Sequence, residues 1–122
     1  MNPDIEEALT HDRTVDITTT GRRSGRPRRL EIWFHNLGSG IYISGLPGRR
    51  GWYANLLEHP DFTFHLKEST QADLAARAQP VTEPGQRAVV LGELLPKLGR
   101  MGDYDDWIAG SPIVKVEFLG AE

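Results

Sequence analysis

Short runs of β-branched and aromatic residues, each broken by glycine or proline, constrain the fold of this chain most. Val15–Thr20 ends at Gly21, Leu30–Phe34 and Ile41–Ser44 flank Asn36–Gly40, Asp61–Leu66 follows Pro60, and Pro112–Phe118 completes the series. Branching at Cβ crowds a helical turn and suits a pleated surface, so these runs predict strands. Leu30–Phe34 and Ile41–Ser44 read as a hairpin around the glycine-containing turn. Gln71–Ala78 has helix-compatible composition, but its alternation favours a strand, paired antiparallel with Asp61–Leu66 through Lys67–Thr70. Pro112 would be tolerated at the first position of its strand or at an edge.

Helical signals are fewer. Trp52–Glu58 fits a short helix stopped by Pro60, with Trp52 and Leu56 on one face and Asn55 turned toward another. Pro84–Leu98 holds many helix formers, yet Gly85, Gly92 and Pro96 predict two short turns rather than one helix. Asp103, Asp105 and Asp106 read as a hydrated turn beside Tyr104. Without βαβ repetition, the expectation is a predominantly β fold with short helices, either a barrel or an α+β sheet. At 122 residues with no duplication or linker, one domain over 1–122 is the economical organisation. A barrel of this size fills its interior with side chains, and dimerisation would cover apolar surface left outside.

Charge is unevenly placed. Arg22, Arg23, Arg26, Arg28, Arg29, Arg49 and Arg50 supply half of the 14 lysines and arginines, although the net charge is −3. That pattern points to a local site for phosphate or carboxylate and away from a general nucleic-acid binder. In Thr18–Arg28, planar guanidinium groups, hydroxyls and two glycines stand together as an anion clamp, with neither Walker nor dinucleotide-fingerprint spacing. The chain has no cysteine, which excludes thiolate chemistry. His11, His35, His59 and His65 match no metal motif, so no metal is expected. No apolar run approaches the roughly 20 residues of a membrane span, and the acidic start differs from a secretion signal; a cytoplasmic protein is the expectation.

The segment Thr18–Arg28 resembles the opening signature of the deazaflavin-dependent nitroreductases, a branch of the split β-barrel flavin and deazaflavin oxidoreductases. Trp33–Phe34, Ile41–Ser44, Trp52–Pro60, Tyr104–Trp107 and Pro112–Val114 resemble its later landmarks in the same order, so the likeness runs from about Val15 to Phe118. The resemblance implies a homodimeric, flavin-reductase-like split β-barrel that uses the deazaflavin F420 as hydride donor to a small nitroaromatic, quinone or other conjugated acceptor. It assigns the cofactor's phosphate and acidic tail to Arg22, Arg23 and Arg28. Trp52 and Asn55 would enclose the cofactor, Ser44 would border its ring system, and Tyr104 would stand on the substrate side as a hydrogen-bond or proton donor.

The chain departs from the family pattern at Leu30–Glu31, where a proline is common, and at Gly45, where a lysine is common; Leu98 and Met101 stand in place of tyrosines. Arg49 or Arg50 would have to reach back to replace that lysine, with a different donor geometry. Other readings keep their place. The aromatic residues also suit plain core or interface packing, Asn55 a helix cap, and Ser44 a strand-end turn. A noncatalytic barrel that binds a deazaflavin, a flavin or another hydrophobic anion is the alternative function, and FMN is the second choice of cofactor.

Overall fold

Alternation of buried and outward residues organises the strands of the computed structural model, which describes residues 2–120. In chain order the elements are α1 (Pro3–His11), β1 (Thr14–Thr20), β2 (Pro27–Leu37), β3 (Gly40–Ser44), α2 (Gly51–Glu58), β4 (Asp61–Leu66), β5 (Ala72–Pro80), α3 (Pro84–Leu98), a 3₁₀ turn at Met101–Asp103, α4 (Tyr104–Gly110) and β6 (Ile113–Phe118). Val15, Ile17 and Thr19 of β1 are buried while their neighbours are partly exposed, the period-two pattern of a strand with one face on a core.

The strands close into an antiparallel barrel in the order β1-β2-β3-β6-β5-β4, with β4 returning to β1. This is the split-barrel, flavin-reductase-like fold expected from the resemblance. The two expected antiparallel pairs, β2 with β3 and β4 with β5, are present. β6 lies between β3 and β5, so the strand after Pro112 closes the barrel and is not an edge. Inside, Phe64 meets Phe34 and Phe118 edge to face, with ring centroids 5.3 and 5.2 Å apart. Ala8 and Leu9 of α1 and Trp52 and Leu56 of α2 join this cluster. A second cluster packs Val90, Leu91, Leu94 and Leu95 of α3 and Trp107 of α4 against Leu37, Tyr42 and Ile113.

One opening in the ladder shapes everything below. β2 pairs with β1 over Pro27–Trp33 but with β3 only over Phe34–Leu37, so the first half of β2 has a strand on one side alone. Leu30 and Ile32, which pair with the fully buried Ile17 and Val15, are consequently only half-buried.

Four local expectations are corrected. Pro84–Leu98 is one continuous helix. Glu83 caps its first turn by accepting the Gln86 N–H at 2.7 Å, Pro84 sits where no intrahelical donor is needed, Gly92 faces solvent, and Pro96 falls in the last turn before Gly99. Burial of four apolar side chains outweighs the propensity cost of Gly92, about 1 kcal/mol. The segment beside Tyr104 is a helix, with Asp105 and Asp106 favourably placed in its first turn. The β2–β3 turn narrows to Gly38–Ser39, and β2 begins at Pro27 rather than Leu30, because Thr19 and Thr20 extend the ladder onto Arg28 and Pro27. Helix α1, capped by Asn2 with Pro3 at its start, was not expected.

Candidate functional site

The turn from β1 to β2 is built to project arginines. Gly21 N–H donates to the Arg26 carbonyl at 2.8 Å and Gly25 N–H to the Gly21 carbonyl at 2.9 Å, with Gly25 in the left-handed region at φ 70°. A Cβ on Gly21 would lie 2.5 Å from Ser24 Oγ and 3.3 Å from the Arg26 carbonyl, so this turn admits no side chain there without rearrangement. Ser24 Oγ in turn accepts the Arg26 N–H at 3.1 Å.

Asn55 fixes that turn to α2. Its Oδ1 accepts the Arg22 main-chain N–H at 3.0 Å and its Nδ2 donates to Thr19 Oγ1 at 3.1 Å. Trp52, Asn55 and Leu56 share the buried face of α2, a spacing of three and four residues, so Asn55 faces inward rather than away as its sequence position suggested.

A cavity of about 400 Å³ opens between these parts, lined by Thr19, Arg22, Arg23, Ser24, Arg28, Leu30, Gly51, Trp52 and Asn55. Among the described residues, Arg22, Arg23 and Arg28 take part in no ion pair, whereas Arg29, Arg77 and Arg100 are matched with Asp16, Asp61 and Asp103. The start of α2 also faces this cavity, and its N-cap, Arg50, provides no side-chain cap. Unmatched guanidinium groups beside main-chain donors at a helix start suit an anionic group with several oxygens.

The fold therefore gathers Arg22, Arg23, Arg28, Trp52 and Asn55 in one place and the other candidates elsewhere. Ser44, 8% exposed at the end of β3, lines a second cavity of about 510 Å³ with Ile32, Trp33, His35, Gly45, Leu46, Leu98, Arg100 and Trp107. The two cavities draw on the same elements: Leu30 and then Ile32 of β2, and the two ends of the loop that runs from Gly45 to Gly51. Arg50 folds back on that loop, donating to the carbonyls of Leu46 and Pro47 at 3.2 and 3.3 Å. Arg49 is exposed beside Tyr53 and Arg87 in a separate depression. Tyr104 opens α4 and packs, half-buried, on the α3–α4 cluster.

Two features of this region escaped the residue-by-residue reading. Gly45 touches both sides of the junction: a Cβ there would lie 3.2 Å from Pro112 Cγ and 3.3 Å from Trp52 Cζ2. His35 lines the second cavity, and burial, followed by the charge of Lys97, lowers its pKa from 6.5 to about 4. The signal was the alternation Glu31, Trp33, His35 along one face of β2. In the separate depression beside Arg49, the Arg87 guanidinium donates to the carbonyls of Val81, Trp107, Ile108 and Ser111, holding α3 and α4 together.

The fold is similar to several solved structures. ChuZ of Campylobacter jejuni has 16% identity and a TM-score of 0.67, covering 94% of this chain and 51% of its own length. The heme storage protein HutZ of Vibrio cholerae has 16% identity and a TM-score of 0.68, with 98% and 91% covered. An FAD-binding protein of Mesorhizobium loti has 14% identity and a TM-score of 0.67, with 95% and 86% covered. The chain thus spans about half the length of ChuZ, and at these identities the likeness is one of fold. Residues 4–106, which include β1, the arginine turn, β2, α2 and the α3–α4 junction, match the family model of the F420H(2)-dependent quinone reductases. The arginine turn, the helix that caps it and this match place the chain in the F420H(2)-dependent quinone reductase family.

Proposed function

We propose that the chain is an F420-dependent oxidoreductase acting on a small nitroaromatic, quinone or other conjugated acceptor. The observation that carries this reading is the cluster of unmatched arginines, Arg22, Arg23 and Arg28, around a cavity closed by Trp52 and Asn55. The donor set fits the cofactor's phosphate and acidic tail, and the apolar sides of Leu30 and Trp52 fit the part that follows. Reduced deazaflavin, when bound, supplies the hydride. The protein's part is to bind and to orient: the arginines neutralise the tail, Asn55 holds their turn in place, Ser44 borders the ring system, and Trp33 and Trp107 shape the neighbouring cavity for the acceptor. Arg49 and Arg50 extend the positive charge along the loop, and Tyr104, at the start of α4, is the hydrogen-bond or proton donor on the substrate side. We place this single domain in the cytoplasm as a homodimer; among the described residues no helix is long and apolar enough to cross a membrane.

The test is a titration of reduced F420 and reduced FMN into separate samples, followed by their oxidation with a common quinone. Acceptor-dependent oxidation of F420 above the uncatalysed rate supports the enzyme. Tight binding without turnover across chemically distinct acceptors would favour a noncatalytic binding protein, and failure of both cofactors to bind would remove the reading.

A further inference from the structure

The outer face of β2 carries Glu31, Trp33 and His35 at alternate positions, and among the described residues no hydrogen bond or ion pair engages the imidazole of His35. It stands opposite Tyr42 of β3, whose hydroxyl is already engaged by Ser39 Oγ at 2.7 Å. The ring forms a shared wall between the cavity of about 510 Å³ and a smaller one of about 290 Å³ that also holds His11, Arg13 and Lys97. Burial and then Lys97 hold its pKa near 4, and no hydrogen bond contributes among the described residues. At neutral pH the ring is therefore uncharged and offers one N–H donor. No buried side-chain nitrogen or oxygen among the described residues lacks a partner, so the unpartnered ring nitrogens of His35 reach the cavity surface, where an oxygen brought by a ligand can take the N–H.

The rest of the larger cavity narrows the ligand's chemistry. Trp33, which is 49% exposed, presents aromatic surface, and Trp107, only 4% exposed, lines the wall. Glu31 and Arg100 contribute opposite charges, and Arg100 is already paired with Asp103 at 3.1 Å. The cavity offers no surplus charge to an anion, in contrast to the arginine-lined one. We infer that His35 is a specificity-determining residue for the acceptor proposed above, recognising a neutral, planar acceptor by donating a hydrogen bond to its carbonyl oxygen. That bond strengthens as reduction raises the electron density on the oxygen, which makes His35 a polarising as well as a selecting group. The inference rests on the acceptor half of the proposed function and is independent of which cofactor is bound.

The test uses the full chain without cofactor and menadione, a naphthoquinone, as the probe. With no cysteine in the chain, the quinone has no thiol to add to. Binding is followed by quenching of tryptophan fluorescence and by the ¹⁵N resonances of the His35 ring. Wild-type protein should bind menadione with a shift at the His35 ring. His35→Leu should weaken binding roughly five- to tenfold, the equivalent of one lost neutral hydrogen bond, while His35→Gln, which keeps an N–H donor, should stay within about twofold. No binding to the wild type, an unmoved ring resonance, or equal affinity in His35→Leu would overturn the inference. Protein that binds menadione through His35 but neither reduced cofactor would sink the proposed function and leave this inference standing; the opposite pattern would do the reverse.

Discussion

Asn55 and Arg22 are joined by a hydrogen bond from the Arg22 main-chain N–H to Asn55 Oδ1, 3.0 Å long and 33 residues apart in sequence. The same side chain, 8% exposed, also donates to Thr19 Oγ1, so one amide ties the end of β1, the arginine turn and α2 together. Asn55→Ala leaves the buried Thr19 hydroxyl and the part-buried Arg22 N–H without their partner and should cost about 1–3 kcal/mol in urea denaturation. Because the turn that it releases carries Arg22 and Arg23, F420 affinity measured at full folding should fall as well. An unchanged affinity in folded Asn55→Ala would limit the residue to a stability role.

Arg22 and Arg28 should behave in the opposite way. Both are exposed and engage no carboxylate among the described residues, so the double replacement Arg22→Ala with Arg28→Ala should move the thermal midpoint little. Two charge-assisted contacts to an anionic tail are worth more than a neutral pair, and F420 binding should weaken by roughly 100-fold with a shallower salt dependence. Calorimetric titration at two ionic strengths reads both, and loss of stability without loss of affinity would contradict the tail-binding role.

At Gly45 a side chain would meet close neighbours. A Cβ would press on Pro112 and on the Trp52 ring within 3.3 Å, and the Gly45 main chain is already bonded to the Pro112 carbonyl and Ser111 Oγ. Gly45→Lys should therefore destabilise by about 1–3 kcal/mol and displace Trp52, visible as altered tryptophan fluorescence, rather than improve cofactor affinity. Tighter F420 binding with unchanged stability would show that the neighbours yield more easily than their contacts imply.

Much of the barrel was legible because strands write their burial into every second residue. Val15, Ile17 and Phe62, Phe64 announce their faces locally, and the β2–β3 turn announces itself through Gly38 and Gly40. Closure was not legible, since the β1–β4 and β3–β6 pairings join residues far apart in the chain. The arginine cluster could be read as a charge run, but its division from Ser44 depends on where β2 loses its second neighbour. Helix α3 was hidden because Gly92 and Pro96 look like breakers until their surroundings are known. Gly92 is exposed with open space at its Cβ position, so Gly92→Ala should stabilise the protein by roughly 0.5–1 kcal/mol in chemical denaturation. A destabilisation would mean that α3 needs the glycine for a contact not visible in the monomer.

The low pKa of His35 makes a signed prediction about stability against pH. Its folded value, about 4, lies below the ordinary 6.5, chiefly through burial and secondly through Lys97. Between those values the unfolded chain binds the additional proton, so stability falls as pH drops through 6.5 and the loss levels off below about 4. A shift of this size corresponds to a loss on the order of 3 kcal/mol when the group is fully titrated. Asp16, held low mainly by its hydrogen bond from Lys67, and Glu68, held low mainly by Thr14, add losses only as the pH nears the carboxylate range. Glu31, Arg100, His11, Asp12, Arg13 and Lys97 share the cavities around the ring, so the measurement must be differential. Urea midpoints of wild type and His35→Leu from pH 7.5 to 4.5 isolate the imidazole, and the gap between them should shift in favour of the variant as the pH falls. Lys97→Gln, which removes the smaller cause, should shrink the wild-type loss without abolishing it. A gap that stays constant across this range would place the His35 ring in a wetter setting than β2, Leu98 and Trp107 provide.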